Sequence, residues 1–242
     1  MTNSVALLRS MSVTQALEWE KQALRKVLID QTPRFLIWEP LDNVMVLPAS
    51  SKWLVAPELT NHMAKLGWQL EQRKTGGSPV PQAAGVLNLS MIYPWPSELE
   101  ISPSKSYQLL IDILQMWLSN YGVTAETGEV NGAYCNGAFN LSINNKKFIG
   151  TAQRISRTSA VSSKRKTGVL AHAFILIDPN ITNLVDAVNQ CYRQSGHSDI
   201  FSQDAMTSLS EYDGDINVNH NKLANDLYQS AQVVIDKHLA II

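Results

Sequence analysis

Apolar positions recur at helical spacing along several stretches of the chain. Ser12 is placed to cap a helix over residues 13–29, with Ala16, Leu17, Ala23, Leu24, Val27 and Leu28 on or near one face. Pro57 opens a shorter helix striped by Leu59, Met63 and Leu66 and stopped at Gly67. Ser104 is placed to cap a strong amphipathic helix over 104–121, with Leu109, Leu110, Ile113, Leu114, Trp117 and Leu118 inward. The same periodicity predicts helices over 181–194 and 219–239, the latter carrying Leu223, Leu227, Val233 and Val234.

Between the helices the pattern changes to strands. Residues 34–39 and 43–47 read as strands around a Pro40 turn, and 68–71 as another. Val86, Leu87, Leu89 and Met91 mark a strand that the Pro94-Trp95-Pro96 run is expected to break. Phe139, Leu141 and Ile143 alternate with polar residues, Asn144-Asn145 makes a turn, and Lys147 opens the returning strand. Residues 128–137 and 195–204 read as loops, 156–167 as a polar, mobile excursion, and 168–177 as a buried strand. The sum is an α+β chain: a mixed, mainly antiparallel sheet flanked by helices.

Composition narrows the classes. With 242 residues there is room for one large core. A net charge of −1 gives no global electrostatic case for nucleic acid or membrane binding. No stretch approaches the ~20 apolar residues of a membrane span. Cys135 and Cys191 offer neither metal spacing nor a disulfide framework, so no metal site is expected and a reducing, cytoplasmic setting is. The N-terminus lacks the pattern of a signal peptide.

Two stretches carry candidate chemistry. The first is Arg73-Lys74-Thr75-Gly76-Gly77-Ser78, followed by Gly85-Val86-Leu87-Asn88-Leu89-Ser90. Paired glycines let backbone N–H groups approach a ligand, and the cations upstream suit a carboxylate or phosphate; the plainer alternative is a tight turn between strands. The second is Lys147-Phe148-Ile149-Gly150-Thr151-Ala152-Gln153-Arg154, followed by the apolar strand around His172. Together these resemble the biotin/lipoate A/B protein ligase family, in order and spacing, across roughly residues 12–180. The resemblance implies the fold of class II biotin synthetases and lipoate ligases, with 1–180 as a catalytic domain and 181–242 as a helical extension packed on it.

It also implies roles. Lys147 would be the catalytic lysine, polarising an acyl-adenylate or thioester where water is excluded. Arg73 would pair with a phosphate or carboxylate. Thr75, Gly76, Gly77 and Ser78, then Asn88, Gly150, Thr151, Ala152 and His172, would line the substrate pocket; Asn88 reads equally, and His172 more readily, as a satisfied core residue. Lipoate or octanoate would be the acyl substrate, with ATP and Mg²⁺ as co-substrates if the chain is a ligase. The macromolecular partner would be a lipoyl carrier domain, of the 2-oxoacid dehydrogenase E2 or glycine cleavage H protein type, met by the basic residues Lys164, Arg165 and Lys166. The leading expectation is a lipoate–protein ligase using ATP. The alternatives are an ATP-independent octanoyl or lipoyl transferase and a non-catalytic lipoyl-binding module. Ser78 and Gln82 stand where lipoate ligases carry a third glycine and a histidine, which favours the transferase branch. That branch needs a cysteine nucleophile, and the strand where one such branch carries it reads Phe174-Ile175-Leu176-Ile177 here; Cys135, in a glycine-bounded loop before the Lys147 hairpin, is the substitute candidate, and it reads more readily as a structural loop cysteine.

Overall fold

A computed structural model describes residues 8–158, 166–212 and 219–240. Strands β1 (Leu8–Met11), β2 (Arg34–Pro40), β6 (Val86–Trp95), β10 (Thr167–Leu176), β9 (Lys146–Arg157), β8 (Leu141–Ile143) and β7 (Glu126–Thr127) form one sheet in that spatial order. Its neighbours pair antiparallel except β1 with β2. A second, three-stranded sheet runs β4 (Gln69–Gln72), β3 (Val44–Leu47), β5 (Val80–Gln82). The sequence pattern does not announce β1 and β5: both are short, and β5 reads Val-Pro-Gln within a loop-like run.

Strand β6 explains where the site lies. All ten of its residues are buried, because both faces of the sheet are covered. Successive side chains alternate between faces. Leu87, Leu89, Met91, Tyr93 and Trp95 join the main core with helices α3 (Pro103–Ser119) and α6 (His220–Leu239) and with Leu209 of the short α5 (Leu209–Tyr212). Asn88 and Ser90 face the other way, towards α1 (Val13–Asp30) and the small sheet. There β10 contributes His172 and Phe174. The polar positions of an otherwise apolar strand are therefore the site-facing ones.

Helix α1 crosses this second face. Ser12 caps it in a full capping box with Gln15, and Leu24 and Val27 pack with Ile92 and Leu170. It lies so close to β10 that a Cβ on Gly168 would stand 2.8 Å from Val27 Cγ1. Helices α2 (Pro57–Lys65) and α4 (Ile181–Gln194) close the small sheet with Met45, Leu47 and Trp68.

Three local expectations are corrected. Helix α3 starts at Pro103 with Ser102 as its N-cap residue and no side-chain cap bond, so Ser104 lies inside the first turn; proline at N1 starts a helix without a capping hydroxyl, because its φ is already near the helical value and it has no N–H to be satisfied. The Pro94 position does not end β6. Strand β2 pairs no further than Ile92, so at Pro94 only β10 remains alongside, and a strand with one free edge tolerates a missing N–H. In the expected excursion at 156–167, Ser156 and Arg157 complete β9, and Thr158 N–H donates to Lys166 O at 3.0 Å. Lys164 and Arg165 lie outside the described residues.

Candidate active site

Lys147 sits at the start of β9, next to the Asn144-Asn145 turn, whose two residues take left-handed φ values of 50° and 58°. Strand alternation sends its neighbour Lys146 to solvent and Lys147 inward, to 1% exposure. Its Nζ donates to Tyr134 O at 2.7 Å and Cys135 O at 2.6 Å, and lies 5.4 Å from the Tyr134 ring centroid. Burial pulls its pKa down to about 8, against the opposing pull of the Cys135 charge.

Cys135 takes a left-handed conformation, φ 49°, uncommon for a residue with a Cβ. Burial alone would raise its thiol pKa. The positive charges of Lys147 and Arg73, with hydrogen bonds from the Ser78 N–H and Arg73, outweigh that and hold it below its ordinary value. Asn140 locks the loop: its Nδ2 donates to Cys135 O at 2.9 Å while its Oδ1 accepts from Thr151 N–H at 3.0 Å. Asn136 adds a second anchor by accepting from Val130 N–H at 2.9 Å. The Cys135 loop is thus tied to the strand that carries the lysine.

Arg73 is turned inward. Its guanidinium donates to Gly76 O at 2.8 Å and Ser78 O at 3.1 Å, and its buried Nε has no partner among the described residues. The guanidinium folds the glycine loop and places a charge beside Cys135. Gly76 and Gly77 divide. Gly77 has φ +106°, and a Cβ there would stand 3.0 Å from Arg73 Nη2; Gly76 has open space around it. Neither lines the cavity beside Cys135, where Arg73 itself appears; the loop's contribution is its carbonyl oxygens and the Ser78 N–H.

That cavity, of ≈ 60 Å³, is bounded by Cys135, Lys147, Gly150, Thr151 and Ala152 on one side and by Val13, Trp38, Val46 and Phe174 on others. It meets a wider cleft of ≈ 530 Å³, lined by Thr75, at Leu17, Glu20 and Arg73. Asn88 and Gln82 form a reciprocal amide pair at 2.8 and 2.9 Å in the cavity wall, so Asn88 is both satisfied and site-facing.

A polar chain escaped the sequence reading. Trp38 Nε1 donates to Ser90 Oγ at 3.4 Å, and Ser90 Oγ donates to Glu20 Oε1 at 2.6 Å. His172 Nδ1 lies 3.2 Å from the same carboxylate oxygen, with Nε2 3.4 Å from Thr75 Oγ1. The signal was present: Glu20 is a charge on the apolar stripe of α1, four residues after Ala16 and four before Leu24. Among the described residues no group of three His, Cys, Asp or Glu could hold a metal, and no helix is long and apolar enough to cross a membrane.

Comparison with known proteins adds three findings. The family model of the lipoyl protein ligase A/B catalytic domain matches residues 12–231. An octanoyl-[GcvH]:protein N-octanoyltransferase of Geobacillus kaustophilus is 32% identical over 117 residues, 48% of this chain and 41% of the relative. A lipoyl-[GcvH]:protein N-lipoyltransferase of Listeria monocytogenes is 29% identical over 134 residues, 55% of this chain and 45% of the relative. The chain therefore spans less than half the length of these curated relatives. Among solved structures, a lipoate-protein ligase A bound with ATP superposes with a TM-score of 0.71 at 18% identity, over 95% of this chain and 83% of that one. A putative lipoate protein ligase from T. acidophilum with bound lipoic acid gives 0.70 at 17%, over 94% and 83%. At these identities the structural likeness establishes the shared fold.

Proposed function

The chain belongs to the lipoyl protein ligase A/B catalytic domain family, and from that membership we propose that it is a cysteine-dependent transferase, moving an octanoyl or lipoyl group from one carrier domain to a lysine of another without ATP. One observation carries this: Cys135, left-handed and partly exposed, has its thiol pKa lowered by two buried cations, Lys147 and Arg73. A thiolate held beside an ammonium is an activated nucleophile. A ligase has no need of one, since an acyl-adenylate is attacked directly by the acceptor amine. The names of the relatives, transferases acting with GcvH, support the same reading.

The steps balance on this chain's own groups. The Cys135 thiolate attacks the donor's acyl carbonyl; a C–S bond forms, and the bond to the donor nitrogen or sulfur breaks. The leaving group takes a proton from the Lys147 ammonium. The acceptor lysine's amine then attacks the thioester, forms the C–N bond, expels the thiolate and returns a proton to Lys147. A lysine with pKa about 8 exchanges that proton readily near neutrality. The apolar wall of Val13, Val46 and Phe174 would hold the acyl chain. A glycine cleavage H-type protein would be the donor and an E2-type lipoyl domain the acceptor.

The test is transfer between two purified carrier domains, one octanoylated and one apo, with and without ATP. The expected result is ATP-independent transfer, abolished in Cys135→Ser. Acylation that needs free lipoate and ATP would replace this reading with the ligase one. Tight binding without any transfer would favour the binding-module reading.

A further inference from the structure

Tyr134 O and Cys135 O both accept from the same Lys147 Nζ, at 2.7 and 2.6 Å. In an extended chain successive carbonyls point to opposite sides; the left-handed Cys135, φ 49°, puts these two on one side. Asn140 Nδ2 holds the second carbonyl as well, at 2.9 Å. A trans peptide is planar, so each N–H points opposite to the carbonyl it shares a plane with. The N–H of Cys135 and the N–H of Asn136 therefore both project away from Lys147. Among the described residues neither donates to any acceptor.

From this we propose that the backbone N–H groups of Cys135 and Asn136 form the oxyanion hole for acyl transfer, held in place from behind by Lys147 and Asn140. The inference rests on the Cys135 acyl-enzyme reading and adds to it. A carbonyl carbon bonded to Cys135 Sγ is brought within one residue's reach of that residue's own N–H. As sulfur adds, the carbonyl oxygen gains a negative charge, and two fixed amide donors stabilise it without reorganisation. Lys147 then has two tasks on the same loop: it carries the proton, and its bonds to the two carbonyls polarise and aim the amides. Asn140 is a positioning residue, since it bonds the Cys135 carbonyl and not the reacting atoms.

The experiment uses octanal, an aldehyde whose carbonyl accepts the Cys135 sulfur and turns its oxygen into a hemithioacetal oxyanion or hydroxyl, the proton coming from the thiol. Cys135-Asn136 is the single Cys-Asn step in the sequence, so ¹³C-carbonyl cysteine with ¹⁵N-asparagine isolates the Asn136 amide in the wild-type protein. Its proton should move downfield when the octanal adduct forms. In parallel, Asn136→Pro removes this N–H. Asn136→Ala keeps it while losing the side-chain bond from Val130, and is the reference. Acylation of Cys135 by an octanoyl thioester should be slower in Asn136→Pro than in Asn136→Ala by about 10²-fold, the usual loss for one oxyanion donor. Alkylation by iodoacetamide builds no oxyanion and should be equal in the two. An octanal adduct with an unmoved Asn136 amide, or equal acylation rates in the two variants, would overturn the oxyanion hole while leaving the acyl-enzyme intact. Absence of any adduct on Cys135 would overturn the acyl-enzyme reading itself, and the hole with it.

Discussion

At the scale of residues, the proposed chemistry rests on one buried cation beside one cysteine in a left-handed conformation. Lys147→Met removes the stronger of the two charges that lower the Cys135 thiol pKa, so that pKa should rise. The pH dependence of iodoacetamide alkylation would measure it; an unchanged profile would separate the two residues. In the wild type, transfer should climb as the Cys135 thiol ionises and decline as Lys147 loses its proton through about pH 8. The two groups titrate as a pair, so the limbs report apparent values. The glycine loop offers a sharper contrast. Gly76→Ala should leave the stability within about 0.5 kcal/mol of wild type, because open space surrounds the site. Gly77→Ala, with a positive φ and the Arg73 guanidinium at 3.0 Å, should cost more than about 1 kcal/mol. Urea denaturation of the two variants decides it. The sequence made Gly76 and Gly77 look alike; only the backbone angle and the position of Arg73 distinguish them. Cys135 was likewise visible as a cysteine in a loop. Its φ was not, and neither was Arg73 beside it, because the Arg73 loop is far from it in sequence.

At the scale of elements, the long periodic segments were legible. Helices α1, α4 and α6 follow their apolar stripes closely, since a stripe has to be buried and the sheet is what buries it. The hairpin before Lys147 was equally plain, because Asn144-Asn145 accept left-handed φ. What failed was short or contextual. Strand β5, only Val80–Gln82, exists because β3 offers it a partner, and Pro94 stays in β6 because β2 has already ended. The Glu20 chain belongs to this scale too, because it joins α1, β2, β6 and β10. Glu20→Ala would leave Ser90 and His172 without their carboxylate, at a cost of about 1–3 kcal/mol. Thermal unfolding would show it, and a variant as stable as wild type would mean that water or a rearranged His172 replaces the carboxylate.

At the scale of the whole molecule, one face of the sheet is structural and the other holds the candidate site. The structural face needs α6, whose Leu223, Leu227, Ala231 and Ile235 are buried in the main core, and the small sheet needs α4. A chain cut after residue 180 is therefore expected to be insoluble or unfolded; a soluble, cooperatively folding 1–180 fragment would contradict this. The central claim, that the acyl group passes through Cys135, is tested most directly by acid-quenched intact mass of this protein after brief incubation with an octanoylated carrier domain and no ATP. The expected result is a single octanoyl adduct, located on Cys135 and chased off by an apo lipoyl domain. Transfer that proceeds at full rate in Cys135→Ser, with no adduct on the wild type, would contradict it.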